Sequence, residues 1–334
     1  MDIVASGTAP PSGSVTRFRV YNVGGHMQGF PLSGLVQGET AGKTARLDTL
    51  DLAVGPIQLG AHGTVGESVM ADFDLLVTDM AVLGPQYGGR LALNGRAAGP
   101  KQSIAIEAQA TGERLRQDKN TIERFSLRAN ANTDRTLPFD ATLALFGVAA
   151  DTSRVDSVRV QLAGTVSSHR ATLAAQGLQG SLALLLTGGL VDSTWTGHID
   201  SLAFMHPRSG AWRQVTPAGL TAGRTGGDLD SLLLQSESAL LRLSGSWERS
   251  GAWQGAMRLN GFGLERVPMK LPENMSLVGV LEARADLKGE GKRTLGTADL
   301  SVLACTLMVR GPEPATFTFG DLELGGTIAE SSLD

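Results

Sequence analysis

The feature that most constrains the fold of this chain is an alternation of apolar and polar residues, which glycine or a polar turn interrupts about every ten residues. Residues 158–162 read Val-Arg-Val-Gln-Leu, and residues 281–287 read Leu-Glu-Ala-Arg-Ala-Asp-Leu. Successive side chains of a β-strand point to opposite faces, so each such run has one apolar and one polar face. Evenly repeated one-sided strands argue against parallel strands joined by helices. The sequence therefore predicts an all-β chain whose sheet is antiparallel or solenoid-like.

The composition fits many short strands and turns. Of the 334 residues 43 are glycine, while 42% are hydrophobic and only 5% are aromatic. Such a chain is too apolar for disorder, and its few aromatic residues do not favour one large aromatic core. Neighbouring strands lie ~4.8 Å apart, so roughly twenty to twenty-five strands in line predict an elongated body on the order of 100 Å long.

The chain shows no obvious domain linker. We expect residues 1–14 to be a flexible N-terminal segment, residues 15–328 to form one continuous β-repeat, and residues 329–334 to fray. Residues 223–230 predict a long loop. Neither a basic leader nor a run of roughly 20 apolar residues is present. We therefore expect this piece of a longer protein neither to span a bilayer nor to carry its own export signal; if it works outside the cytoplasm, that signal lies on another part.

Helix is expected only as short interruptions of the sheet. The candidate segments are residues 81–86, 263–267 and 271–275. The last of them contains Pro272-Glu273, which suits a first helical turn.

The ionisable and nucleophilic residues do not form a recognisable site. The net charge of −4 comes without a basic block, which argues against nucleic acid as a partner. Cys305 is the only cysteine and is interpreted as a small buried hydrophobic residue. The five histidines lack metal-binding spacing, and neither a nucleotide loop nor a G-x-S-x-G elbow occurs. The sequence thus predicts no metal, no cofactor and no catalytic residue, and we expect the chain not to be an enzyme.

The four tryptophans, Trp195, Trp212, Trp247 and Trp253, are expected to cap the ends of an apolar groove or to anchor turns. A carbohydrate-active β-solenoid would need clustered carboxylates flanked by aromatic residues, and both are sparse. A surface adhesin or autotransporter-like β-solenoid is the stronger alternative. Adhesins of that kind are rich in Asn, Thr and Ser, whereas this chain is richer in Leu and Ala.

The apolar strand faces remain as the candidate functional surface. If the sheet closes into a small barrel, a solenoid or a sandwich, these faces fill its interior. If the sheet curves without closing, they line an open apolar trough, and exposed apolar surface of that size marks a binding site. The residue pattern leaves both arrangements open.

Three stretches resemble segments of the TamB family. Residues 259–302 combine a strand, a short leucine–proline helix and a G-x-L-x-x-x-x-x-L-x-G strand. The motif positions of that strand are Gly279, Leu281, Leu287 and Gly289. Residues 155–220 and residues 81–95 are similar to two further TamB passages.

The resemblance implies a non-enzymatic periplasmic lipid conduit or chaperone, anchored in the inner membrane, that supports outer-membrane assembly. TamB proteins work with an outer-membrane barrel partner, TamA, and are similar to AsmA-type bridge proteins that move phospholipid. The sheet would be folded lengthwise into a half-open apolar trough. Phospholipid acyl chains would then bind a groove formed by Val158, Val160, Leu162, Leu173, Leu182, Leu184, Leu186, Ile199, Leu241, Leu243, Met257, Leu259, Leu281 and Leu287.

Overall fold

Strands make up nearly all of the regular structure. The computed structural model describes residues 2–8, 15–27, 29–151, 153–267, 272, 274–291, 293–312 and 314–332. These residues form 23 strands and two single-turn 3-10 helices, Met80–Leu83 and Leu264–Arg266. All the strands belong to one antiparallel sheet. The prediction of an all-β antiparallel chain is confirmed, and the strand count lies in the expected range. The expected length stays a prediction.

The chain divides into two compact units. Unit 1 comprises Met1–Val166 and Ala175–Leu178, and unit 2 comprises Ser167–Ala174 and Gln179–Asp334. The strands of unit 1 are β1 (Asp2–Thr8), β2 (Val15–Met27), β3 (Phe30–Ala41), β4 (Thr44–Val54), β5 (Ile57–Val65), β6 (Ser68–Val77), β7 (Tyr87–Pro100), β8 (Ala105–Gln117), β9 (Asn120–Asn132), β10 (Phe139–Ala150) and β11 (Ser153–Gly164). The strand β12 (His169–Gly177) contributes residues to both units.

Unit 2 holds the remaining strands. They are β13 (Gly180–Val191), β14 (Thr194–His206), β15 (Gly210–Gln214), β16 (Ala218–Gly223), β17 (Gly226–Ser236), β18 (Ala239–Glu248), β19 (Ala252–Gly263), β20 (Met275–Glu290), β21 (Arg293–Val309), β22 (Ala315–Thr318) and β23 (Leu322–Ser332).

Unit 1 is a simple antiparallel meander. Each strand from β1 to β11 pairs with the next one along the chain. Most connections are tight turns, as at Gly42 and Gly55, which have φ angles of 57° and 53° that glycine adopts without strain. Among the pairings of the described residues, none joins β1 to β11. The ladder of unit 1 therefore does not close on itself.

Unit 2 interrupts the same meander with broken strands. The long strand β14 pairs with β15 through one end and with β16 through the other, and β17 also pairs with both. Pro217 lies in this break and cannot donate a ladder hydrogen bond. The Gln214 side-chain amide instead donates to the carbonyl oxygens of Ile199 and Thr216, each at 2.7 Å. A second break divides β22 from β23, which both pair with β21.

The predicted long loop at residues 223–230 is wrong. The strand β16 ends at Gly223 and β17 already begins at Gly226, so the connection is a tight turn. Gly227 is a ladder residue opposite Trp247, and its missing side chain makes room for the indole ring. Gly227 therefore provides room for an aromatic ring and does not belong to a flexible loop.

Two of the three short helical segments are confirmed as single turns, Met80–Leu83 and Leu264–Arg266. Asp79 caps the first of them, because its carboxylate accepts a hydrogen bond from the backbone N–H of Ala81. The third segment lies partly outside the described residues, as does half of the expected flexible N-terminal segment, residues 1 and 9–14. In that N-terminal segment, residues 2–8 form β1, and residues 322–332 form β23 at the other end.

Candidate functional site

The apolar face of unit 1 forms a regular grid of three rows across nine strands, β3 to β11. Directly opposite residues of an antiparallel pair lie on the same face, so the strand register defines each row. The first row is Val36, Leu50, Ala61, Phe73, Gly95, Ala108, Ala129, Ala141 and Leu162. The second row is Gly34, Leu52, Leu59, Leu75, Leu93, Ala110, Leu127, Leu143 and Val160. The third row is Leu32, Val54, Ile57, Val77, Leu91, Gly112, Phe125, Leu145 and Val158.

These three rows are here called the unit 1 floor. Every position in them is apolar or glycine, and none of the side chains is fully exposed. Apart from Val77, Ala110 and Gly112, which are buried, all are half-buried. Eight inter-strand spacings give the floor a contour length of roughly 38 Å, and three alternate residues give a width of about 13 Å. Side chains on this face therefore shield one another without being sealed from solvent.

Aromatic rings fill two of the three glycine positions of the floor. A Cβ atom at Gly95 would overlap the Phe73 ring, and one at Gly112 would lie 2.6 Å from Phe125 Cδ1. A phenyl ring from the neighbouring strand thus covers Gly95 and Gly112, whereas the third floor glycine, Gly34, lies against the Leu52 side chain. The floor remains apolar where a side chain is missing.

The opposite face of the same strands carries the charge. His62, Asp72 and Arg96 stand directly opposite one another on β5, β6 and β7. Asp72 Oδ2 lies 3.4 Å from His62 Nε2, and Asp72 Oδ1 lies 3.8 Å from Arg96 Nε. Such exposed pairs contribute little to stability. They keep one face of the sheet wet while the floor carries no ionisable group.

The apolar face of unit 2 is sealed over part of its area. Its core cluster comprises Ile199, Trp212, Ala218, Leu232, Leu234, Ala239 and Phe262. Trp212 is 4% exposed and Leu234 is 2% exposed. The Trp212 ring stacks between Phe204 and Phe262, with centroid distances of 6.1 Å and 5.8 Å. These side chains have the burial of a closed core and not that of an open floor.

The predicted groove residues fall into three environments. Val158, Val160 and Leu162 lie in the unit 1 floor, one in each row. Ile199 belongs to the unit 2 core cluster, and the half-buried side chains packed against that cluster include Leu184, Leu186, Leu241, Leu243, Leu259 and Leu281. The others lie outside both sets: Leu173 and Leu287 are half-buried, and Leu182 and Met257 are each 36% exposed. That these residues together form one lipid-binding groove stays a prediction.

The sequence-based groove omitted most of the floor. Leu59, Leu75, Leu93, Leu127 and Leu143 occupy its central row, and the signal for them was the same parity that identified Val160. Only the strand register, however, shows that these residues stand opposite one another.

The tryptophans take different roles. Trp212 was expected at a groove end or a turn, and this is wrong, because its ring is central to the core. Trp247 and Trp253 do anchor a turn, since they form the cross-strand pair next to residues 249–251. Trp195 donates a hydrogen bond from Nε1 to His169 Nε2 at 2.8 Å.

Ionisable groups of the described residues give no sign of a catalytic or metal centre. No group of three or more His, Cys, Asp or Glu side chains among them could hold a metal ion. The clear pKa shift is that of Asp134, whose pKa is lowered by hydrogen bonds from the backbone N–H and the hydroxyl of Thr136. This carboxylate stabilises the connection between β9 and β10. Cys305 is 3% exposed, which confirms its interpretation as a buried hydrophobic residue.

Within the described part of the chain, none of the helices is long and apolar enough to cross a membrane. Neither a curated protein nor a solved structure matches the chain. A family model described as the N-terminal domain of TamB matches residues 3–334, which is almost the entire sequence. The sheet architecture, the one-sided strands and this match agree: the chain belongs to the TamB family.

Proposed function

We propose that the unit 1 floor binds phospholipid acyl chains and that the chain is part of a non-enzymatic periplasmic lipid conduit. Membership of the TamB family itself supports a role for this envelope protein in outer-membrane assembly or lipid transport. The observation that carries the finer proposal is the unbroken apolar grid over nine strands, half-buried at all but three positions. An apolar grid of this extent that stays partly open to solvent is expected to bind a ligand or a partner.

The energetics of the floor suit movement along it better than trapping at one point. Burial of each acyl CH₂ contributes ~0.8 kcal/mol. A chain that shifts from one strand to the next exchanges one Leu-rich or Ala-rich position for another, so its free energy changes little. The headgroup stays in water beyond the rows. Binding is therefore expected to be promiscuous among phospholipids and insensitive to chelators and nucleotides.

The same proposal includes the setting of the conduit. The chain works in the periplasm as part of a protein tethered to the inner membrane, and its partner is a TamA-like outer-membrane barrel. Family membership favours this role over the adhesin alternative. In this setting the floor supplies part of the lipid path.

The test is site-specific photo-crosslinking in cells. A crosslinking residue at Leu143 or Val160 faces the floor, whereas one at Arg159 faces the charged side of the same strand β11. We expect phospholipid adducts at Leu143 and Val160 and none at Arg159. Equal labelling at Arg159 and Val160, or labelling confined to a single floor position, would refute a distributed acyl-chain path.

A further inference from the structure

In unit 2 the core cluster covers the apolar face of its own strands. In unit 1 the apolar face of the strands is the half-buried floor. The half-buried leucines packed against the cluster include Leu184, Leu241 and Leu259. Leu241 and Leu259 stand directly opposite each other on β18 and β19, so they lie on the same face of the sheet. What distinguishes this face is the aromatic stack of Phe204, Trp212 and Phe262. The protein's own side chains occupy the volume in which an acyl chain could lie.

The central ring of this stack is carried by a short strand. The strand β15 has only five residues, Gly210–Gln214. It pairs with β14 over four residues and with β17 over two, Arg213 and Gln214. The break at residues 215–217 separates it from β16. Few ladder hydrogen bonds therefore oppose its local detachment.

Unpaired polar atoms beside the core raise the free energy of the packed state. Gln214 Oε1 and Ser236 Oγ are buried and have no hydrogen-bond partner among the described residues. Ser236 is only 2% exposed and lies near Gly210, at the start of β15. A buried acceptor or hydroxyl without a partner is unfavourable, and it gains water when the region opens.

An ion pair lies at the rim of the same core. Arg266 bonds to Glu237, which lies in the turn between β17 and β18 with a φ of 50°. Arg266 follows Leu264, which is 6% exposed, and precedes Val267, which packs against the core cluster. The pair thus joins two segments that border the core, and the conformation of Glu237 is itself strained.

We propose that β15 is a displaceable plug, with Trp212 filling an acyl-chain site on the unit 2 face until the strand detaches. This inference rests on the proposed function, because it assumes that the acyl chains that bind the unit 1 floor can also bind the unit 2 face. In the closed form the protein's own side chains cover that face. An acyl chain stabilises the open form only through its greater affinity for that form. The plug therefore admits lipid to unit 2 conditionally, while the unit 1 floor is always accessible.

The test uses the purified full chain and vesicles of phosphatidylethanolamine and phosphatidylglycerol that contain a phosphatidylethanolamine with a diazirine in its acyl chain. After illumination, mass spectrometry locates the adducts on peptides of each unit. In the unchanged protein we expect adducts on the unit 1 floor and few on β17–β19. Trp212→Ala should raise the unit 2 adducts about tenfold and leave those of unit 1 unchanged. The matched control Trp247→Ala removes a tryptophan that is 42% exposed and outside the core, and it should change neither.

A disulfide staple tests the opposite direction. Met205 and Ala211 stand directly opposite each other on β14 and β15. The variant Met205→Cys/Ala211→Cys, in a Cys305→Ala background, should lower unit 2 labelling, and a reductant should restore it. If Trp212→Ala does not raise the labelling of unit 2 and the staple does not lower it, the plug proposal is refuted. If Trp212→Ala unfolds unit 2, as amide exchange would show, the staple alone decides.

The two proposals fail in different ways. If the unchanged protein forms no adducts on the unit 1 floor, the lipid-binding proposal itself fails. If the floor is labelled but unit 2 does not respond to either variant, only the plug is refuted, and Trp212 is a structural core residue.

Discussion

Unit 1 and unit 2 are built from the same kind of one-sided antiparallel strand, but they treat the apolar face differently. In unit 1 the three rows of the floor are half-buried over nine strands at all but three positions. In unit 2 a break between β15 and β16 and the large rings of Phe204, Trp212 and Phe262 produce a sealed core. The first row of the floor, by contrast, contains four alanines and a glycine.

The difference teaches that an alternating pattern specifies which face is apolar but not whether that face is covered. Aromatic side chains bury roughly 150–250 Å² each and fill the space above a sheet that Ala and Val leave empty. In unit 2 a broken strand also lies where rings from β14, β15 and β19 meet. Unit 2 has both the stacked rings and the broken strand. If these features distinguish a closed core from an open floor, equivalent substitutions should affect the two units differently.

Insertion of a charge should separate the two units most strongly. Leu234→Arg places a guanidinium where the side chain is 2% exposed, and we expect a loss of several kcal/mol and unfolding of unit 2. Leu143→Arg in the half-buried floor should cost only about 1–2 kcal/mol, because the long side chain can reach water. Amide hydrogen exchange, followed for the strands of each unit, measures both effects.

Leu184 offers an intermediate case for the same measurement, since it is half-buried but packs against the core cluster. Leu184→Arg should therefore be more harmful than Leu143→Arg and less harmful than Leu234→Arg. If Leu143→Arg abolishes protection throughout unit 1, the floor is a closed interior and the comparison fails.

Truncation of a phenyl ring should give the next largest difference. Phe262→Ala removes a side chain that is 7% exposed and stacked on Trp212, at an expected cost of about 3–5 kcal/mol. Phe125→Ala in the floor removes a half-buried ring and should cost about 1–2 kcal/mol. Hydrogen exchange of β19 and β9 reports the two values. Equal losses would show that the floor is packed as tightly as the core.

Addition of a methyl group tests whether a glycine of unit 1, Gly95, and a glycine of unit 2, Gly255, differ in the space around them. A Cβ at Gly95 overlaps the Phe73 ring and approaches Glu107 O to 2.9 Å, so Gly95→Ala should destabilise unit 1 by about 1–3 kcal/mol. At Gly255 the only contact is Ser244 O at 3.7 Å, so Gly255→Ala should alter stability by less than about 0.5 kcal/mol. The unfolding midpoints in urea measure the difference. A Gly95→Ala protein as stable as its parent would show that the Phe73 ring does not need this glycine.

Acidification should produce the smallest effect, local to unit 1. Hydrogen bonds from Thr136 hold the pKa of Asp134 below its usual value. The stabilisation is therefore present above the ordinary aspartate pKa of about 3.9 and is lost as pH falls through the lowered folded value. We expect amide protection at the β9–β10 connection to decline below about pH 4, and Asp134→Asn to flatten this dependence. Arg135→Ala, which changes charge in the same turn, should retain it.

Much of the architecture could be predicted from local pattern. Alternation over residues such as 158–162 identified strands and their apolar faces, because side-chain direction along a strand depends only on parity. Val158, Val160 and Leu162 were accordingly placed on the floor. The misreading of residues 223–230 has an equally local cause, since glycine permits a loop but also provides room for a ring such as that of Trp247.

Burial of the apolar faces was decided by tertiary structure alone. Trp212 meets Phe204 through the β14–β15 register and Phe262 from a strand far along the chain, and no periodicity records that meeting. The pattern of the sequence by itself determined that each strand has a dry face. Which partners come to cover that face depends on strand register, on the break at Pro217 and on ring size, because burial is a property of contacts between distant residues.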